Sequence, residues 1–272
     1  MLDFTIDKPK CVRCGACARD CPTRVIMMED YPVLLDEEKC IHCQHCLTIC
    51  PTGAVSILGL DPAGSVPAPR FSPEEAGRLA LLMRSRRSVR AYMDEDLPKE
   101  QLEDLLQTAL CAPTGVNAQE VYFHVVAGRE RIAAFSEKMY GLLEAFFEAP
   151  QGQLDHRSGF MLAALRGWQK GRDRLLCHAP CLVVSSAGPE AATPKEDCMI
   201  AMTYLELYAA ACGLGALWNG MMYWVLRDWI PELRLDLGIP SDHSIGYAMV
   251  LGRPAVRYKR GAQRQGHVVM ME

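Results

Sequence analysis

The chain has 272 residues, of which half are hydrophobic, 23% charged and 7% aromatic. That balance excludes disorder, collagen-like repeats and a coiled coil, and it suits one large domain or a large domain with a small one. The formal net charge is −4, so the overall basic excess of a nucleic-acid binder is absent.

The chain opens Met-Leu-Asp-Phe-Thr-Ile-Asp-Lys, with no basic start running into an apolar stretch, so no secretory signal is expected. A cytoplasmic location follows as an expectation. Clustered thiols in that setting point to metal or redox chemistry rather than to disulfides. Eight of the thirteen cysteines fall in the first 50 residues: Cys11, Cys14, Cys17 and Cys21, then Cys40, Cys43, Cys46 and Cys50. The two runs form an internal repeat. Asp7 and Lys10 precede the first as Asp36 and Lys39 precede the second, and Pro22-Thr23 follows the first as Pro51-Thr52 follows the second. A short apolar segment comes after each, so each half is expected to be a cysteine loop, a helical turn and a short strand.

C-x2-C-x2-C-x3-C-P suits a cubane of iron and sulfide. The first three thiolates wrap one cluster and the fourth points to the other. The expected ligand sets therefore cross over: Cys11, Cys14, Cys17 and Cys50 on one [4Fe–4S] cluster, Cys40, Cys43, Cys46 and Cys21 on the second. Structural zinc favours two separated pairs and is the weaker fit. His42 and His45 lie between ligands and are read as surface residues near the second cluster. The other five thiols show no ligand spacing and are read mostly as small core residues. Residues 3–58 resemble a bacterial-type two-cluster ferredoxin.

Residues 59–71 hold three prolines and two glycines and read as an extended linker. The expected layout is a two-cluster domain at 1–58, a linker at 59–71 and a larger domain at 72–272. Ser72-Pro73-Glu74-Glu75 carries a helix start with a capping box, followed by a stripe of Leu79, Leu82 and Met83. Residues 84–90 hold four arginines, which suit either a solvated helix end or a phosphate site built from Arg86, Arg87, Ser88 and Arg90. Pro98 opens a second helix with Leu102, Leu105, Leu106 and Ala109 on one face. Ala112 to Gln119 is a polar loop whose Thr114, Asn117 and Gln119 suit the edges of a flat ring.

Strands are expected at Val121–Val126, Cys181–Val184 and Ile245–Leu251. The region 140–178 looks helical with a weak pattern. Lys195–Cys212 reads as a long buried helix. Met199–Trp218 is largely apolar, but Glu206, Gly213 and Gly215 speak for a core helix over a membrane span. Gly213-Leu214-Gly215 follows a helix, so it is no dinucleotide fingerprint. Few strands among long helices give an α+β layer fold.

The Arg-Arg-Ser-x-Arg start, the Ala-Pro-Thr-Gly-x-Asn-x-Gln loop, the Gly-Leu-Gly segment and the Leu-Gly-x-Pro end, in this order, resemble the nitroreductase family of FMN enzymes. The resemblance implies a three-layer α/β/α domain and a homodimer with FMN at the subunit interface. Carried over by position, Arg86, Arg87, Ser88 and Arg90 would hold the phosphate and ribityl end. Pro113, Thr114, Gly115 and Asn117 would approach the flavin from the partner subunit. Trp218, Asn219 and Gly220 would pass beside the ring, and Arg260 or Arg264 would close the phosphate site.

The cofactors expected are FMN and two [4Fe–4S] clusters, with no separate catalytic side chain. The function expected is reduction of a small unsaturated acceptor (a nitro compound, quinone or activated alkene) by electrons relayed through the clusters. Reduced ferredoxin or a similar low-potential protein is the donor favoured over NAD(P)H, and neither nucleic acid nor membrane is expected as a partner. An electron carrier without turnover, and specialised flavin chemistry such as dehalogenation, are the competing readings.

Overall fold

The computed structural model describes residues 2–148 and 155–271. The chain divides into two compact units, one running to Phe71 and including Val116–Ala118, the other formed by Ser72–Gly115 and the residues from Gln119 onward.

The first unit holds β1 (Thr5–Ile6), α1 (Ala16–Asp20), β2 (Ile26–Met28), β3 (Pro32–Leu34), α2 (His45–Thr48) and β4 (Val55–Ser56). β1 pairs antiparallel with β4, and β2 with β3. The sequence repeat is also a repeat of backbone conformation. Arg13 and His42 both take φ 55°, Gly15 and Gln44 take 69° and 59°, and Arg24 and Gly53 take 55° and 62°. Left-handed residues at matching places coil each cysteine loop tightly. Most of these are not glycine, so local preference is overridden. Cys17, Val25, Ile26, Cys46, Leu47, Val55 and Ile57 form the small core.

The second unit begins with α3 (Pro73–Ser85) and α4 (Lys99–Ala109), followed by β5 (Val121–Ala127), α5 (Arg129–Glu148), α6 (Ser158–Trp168) and β6 (Cys181–Ala187). It continues with α7 (Pro194–Ala211), β7 (Gly215–Trp218), α8 (Gly220–Trp224), α9 (Leu233–Asp236) and β8 (Ser244–Gly252). A π-helical turn at Val225–Trp229 extends α8. The sheet runs β5-β6-β8-β7, antiparallel throughout.

All seven residues of β6 are buried, because both sheet faces are covered. Leu182, Val184, Leu217, Ala248 and Val250 meet α5, α6 and α8 on one side. Cys181, Val183, Ala216, Met249 and Leu251 meet α4 and α7 on the other. The result is a three-layer α/β/α sandwich. A bulge lies between Val184 and Ser186. There the Ser185 hydroxyl accepts from the Tyr247 N–H at 3.0 Å and donates to the Tyr247 carbonyl at 3.3 Å, in place of the lost ladder bonds.

Ser72 and Glu75 form the expected reciprocal cap, at 3.2 and 2.7 Å. The stripe behind it is not covered by its own unit. Leu79, Leu81 and Met83 are 52%, 65% and 48% exposed, and α3 buries no residue. Leu79 and Met83 of the apolar stripe are thus exposed, and its Leu82 is only half-buried. The weakly patterned 140–178 region resolves into the end of α5, then α6, then a loop. Ile132, Phe135, Met139, Tyr140 and Leu143 form the buried face of α5; residues 149–154 of that region lie outside the described residues. β7 replaces what the sequence showed only as a glycine-containing segment after a helix.

Candidate cofactor sites

The eight repeat thiols surround two separate cavities in the first unit. Cys11, Cys14, Cys17 and Cys50 line one. Cys21, Cys40, Cys43 and Cys46 line the other. Each cavity thus takes three sulfurs from one repeat and the fourth from the other. Among the described residues no three His, Cys, Asp or Glu close on a single ion. Four sulfurs spread around a void suit a multi-iron cluster better than a lone zinc.

The fourth cysteines are the best furnished with donors. Cys50 Sγ accepts from the Ala54 N–H at 3.2 Å, and Thr52 Oγ1 lies 3.8 Å away. Cys21 Sγ has Thr23 Oγ1 at 3.7 Å. Burial acts to raise both thiols, but these donors and neighbouring backbone N–H groups outweigh it, so both sit below the ordinary thiol range. Such donors stabilise thiolate charge and tune a cluster. Cys46 is the opposite case: burial pushes its thiol up to about 11. Loading a metal there must displace a proton.

In the second unit, the arginine-rich segment is stitched to the sheet. Ser88 bridges Ala216 in parallel register, and the Val89 N–H donates to the Ala216 carbonyl at 3.0 Å. Gly215 permits this approach, because a Cβ there would lie 2.6 Å from Val89 Cγ2. Gly215→Ala is therefore expected to cost about 1–3 kcal/mol by overpacking. Thermal unfolding of the two proteins side by side would measure that loss.

The segment divides over two cavities. Arg86 and Arg87 line one of about 240 Å³ together with Glu206 and Arg257. Arg86 Nη1 donates to Glu206 Oε1, which leaves its other donors open. Arg90 lines a second cavity, of about 270 Å³, with Trp218, Asn219 and Gly220. β7 runs from the first, at Ala216, to the second, at Leu217 and Trp218. Arg260 and Arg264 are exposed and line neither cavity. The terminal-segment arginine at the first cavity is Arg257, which the sequence reading did not select. Tyr258, whose hydroxyl donates to the Ser88 carbonyl at 3.2 Å, holds that segment in place.

Asn219 is engaged inside the fold. Its Nδ2 donates to the Leu175 carbonyl at 2.6 Å, its Oδ1 caps α8 by accepting from the Met222 N–H at 2.9 Å, and its own N–H donates to the Ala248 carbonyl. These bonds use one of the two Nδ2 hydrogens and one Oδ1 lone pair, so the side chain is held in place and keeps one amide hydrogen free. Gly220 opens α8, so its N–H has no carbonyl to bond within the helix.

The polar loop is shared between the units. Pro113 is exposed. Thr114 Oγ1 accepts from the Gln119 N–H at 3.0 Å, and the Gly115 N–H donates to the buried Asp197 at 2.9 Å. Val116–Ala118 belong to the first unit, where the Asn117 amide donates to the Ile41 carbonyl at 3.0 Å. Neither arginine-lined cavity includes Pro113, Thr114, Gly115 or Asn117.

One chain that carries an iron–sulfur unit and an antiparallel α/β/α unit with arginine-lined cavities defines a class of redox protein. Residues 83–253 match the nitroreductase family, and residues 10–54 match the 4Fe-4S dicluster domain. The chain belongs to the nitroreductase family and carries a dicluster domain ahead of it. A protein from Methanothermobacter thermautotrophicus with the provisional name NADH dehydrogenase/NAD(P)H nitroreductase is 27% identical over 180 residues, 64% of this chain and 75% of its own. A nitroreductase with bound FMN from Bacteroides fragilis is similar in fold, with a TM-score of 0.55 at 24% identity over 71% of this chain and 98% of that one. Another, from Desulfitobacterium hafniense, has a TM-score of 0.56 at 22% identity, again over 71% and 98%. No helix among the described residues is long and apolar enough to cross a membrane.

Proposed function

We propose that this chain is an FMN-dependent oxidoreductase that delivers electrons from two [4Fe–4S] clusters to a small unsaturated acceptor, such as a nitro compound, a quinone or an activated alkene. The observation that carries this reading is the pairing, in one chain, of two four-sulfur cavities with two arginine-lined cavities along β7. Bound FMN supplies exchange of one or two electrons, and each cluster supplies one-electron transfer.

The donor sets fit these groups. Cys11, Cys14, Cys17 and Cys50 hold one cluster; Cys40, Cys43, Cys46 and Cys21 hold the other. Arg86, Arg87 and Arg257 hold the flavin phosphate by charge and bidentate hydrogen bonding, with Ser88 and Arg90 toward the ribityl chain. The Gly220 N–H and Trp218 border the ring, and Asn219 keeps that turn in shape. The working form is a homodimer. The exposed Leu79 and Met83, four residues apart on one face of α3, supply an apolar surface for a second copy, and Pro113, Thr114, Gly115 and Asn117 reach the partner's flavin.

A low-potential protein donor is preferred to NAD(P)H, because bacterial clusters reach potentials well below nicotinamide. Anaerobic mixing with reduced ferredoxin is expected to bleach the flavin faster than NADPH does. Equal rates with NADPH would remove the donor preference. Purified protein without flavin or iron would remove the whole reading.

A further inference from the structure

The cavity at the end of β7 differs in charge from its neighbours. Arg86 shares its cavity with Glu206, and the cavity beside α5 contains Asp173. The β7 cavity is lined by Arg90 and Arg174 and by no carboxylate. Nearby arginines are neutralised: Arg157 pairs with Asp155 and Asp228, and Arg227 pairs with Asp228. Arg90 and Arg174 have no ion-pair partner among the described residues. The same cavity has Phe160, Trp218 and Trp224 in its walls. With Arg90 and Trp218 given to the flavin, the unmatched Arg174 guanidinium and the rings of Phe160 and Trp224 are left to meet a flat anion.

Arg174 is anchored from behind. Asp173 is buried and accepts from the Tyr140 hydroxyl at 2.9 Å, the Leu175 N–H at 3.0 Å, the Leu176 N–H at 2.9 Å and the His178 N–H at 3.1 Å. Tyr140 stacks on Trp168 at 4.3 Å, and its hydroxyl accepts the Arg174 N–H at 3.2 Å. The arginine stem crosses Gly167, where a Cβ would come within 2.9 Å of Arg174 Cδ. The backbone is thus pinned by a buried carboxylate, and a missing side chain leaves the stem its track. Such pre-organisation lowers the ordering cost of binding an anion.

Resting on the flavin oxidoreductase reading above, in which Arg90 is committed to the cofactor, we propose that Arg174 recognises a carboxylate on the acceptor. The substrate class is then a flat unsaturated or aromatic acid. The guanidinium fork takes the carboxylate bidentately while the aromatic walls hold the ring.

The test compares benzoate with benzamide, an anionic and a neutral probe of the same shape, by tryptophan fluorescence of the oxidised, flavin-loaded full chain. Benzoate is expected to bind about tenfold more tightly. Arg174→Gln is expected to erase that preference with flavin and iron content unchanged, and Arg174→Lys to keep part of it. In turnover, the KM for 4-nitrobenzoate is expected to rise about tenfold in Arg174→Gln, while kcat and the KM for 4-nitrobenzamide hold. Equal affinity for the two probes overturns the proposal. So does an acid preference that survives in Arg174→Gln, or a variant that loses flavin together with the preference, which would make Arg174 a cofactor ligand. Turnover of 4-nitrobenzamide without preference for the acid sinks this inference alone; flavin-free protein that reduces neither compound sinks the reading beneath it.

Discussion

Cys14→Ala and Cys50→Ala are each expected to lower the iron and acid-labile sulfide of anaerobically purified protein to about half. The informative results come from pairs. Cys14 and Cys50 line one cavity although they belong to different repeats. The double variant Cys14→Ala with Cys50→Ala should therefore lose no more iron than either single change. Cys43 lines the other cavity, so Cys43→Ala with Cys50→Ala should lose both clusters. If each repeat held its own cluster, the second pair would instead keep half the iron, and the crossed arrangement would be wrong. Cys14, Cys43 and Cys50 are chosen because Cys17 and Cys46 belong to the small core, where a truncation also leaves a cavity. Flavin content should not change in any of these variants, since the thiols and the arginine-lined cavities belong to separate units.

The two repeats were legible because cysteine spacing is a local property, and three of the four sulfurs around each void come from one such run. The Ser72 cap and the strands around Val121, Cys181 and Ile245 were legible for the same reason: each is written in adjacent residues or in an apolar run. The rest depends on contacts distant in sequence. β7 is four residues long and starts at a glycine, so no alternation marks it; it exists because β8 pairs with it. Arg257, and not Arg260 or Arg264, reaches the arginine cavity because Tyr258 ties down the terminal segment. Asn219 sits in a motif that suggests a ligand contact, and the fold also uses it to join β8, α8 and the loop before β6. Arg174 carried no motif at all. Its setting depends on Asp173, Tyr140 and Gly167, and a signal in the chain would have been an aspartate directly before an arginine in an otherwise apolar approach to β6. The stripe on α3 was legible as apolar, but the sequence could not tell a buried face from the exposed one it is.

Arg86→Ala is expected to have two effects that a second substitution can separate. Arg86 and Glu206 form an ion pair in which the side chains are 19% and 9% exposed. Removing the arginine strands a carboxylate that the fold keeps from water. The expected loss of stability is about 2–4 kcal/mol, the low side of the range for broken buried pairs because Arg86 keeps some solvent contact. The variant is also expected to be purified without FMN, since the guanidinium nitrogens not engaged by Glu206 are the ones placed to meet a phosphate. Flavin loss alone could be blamed on a weakened fold. Arg86→Ala combined with Glu206→Ala answers this, because it removes the stranded charge as well as its partner. Denaturant unfolding should place the double variant within about 1 kcal/mol of the parent chain once the stranded charge is gone. Flavin retention should stay lost. Recovery of both stability and FMN would mean that Arg86 serves the fold only and that Arg87 and Arg257 form the clamp. Stability recovered without FMN assigns the phosphate to Arg86, with Glu206 as the carboxylate that orients its guanidinium toward the cavity.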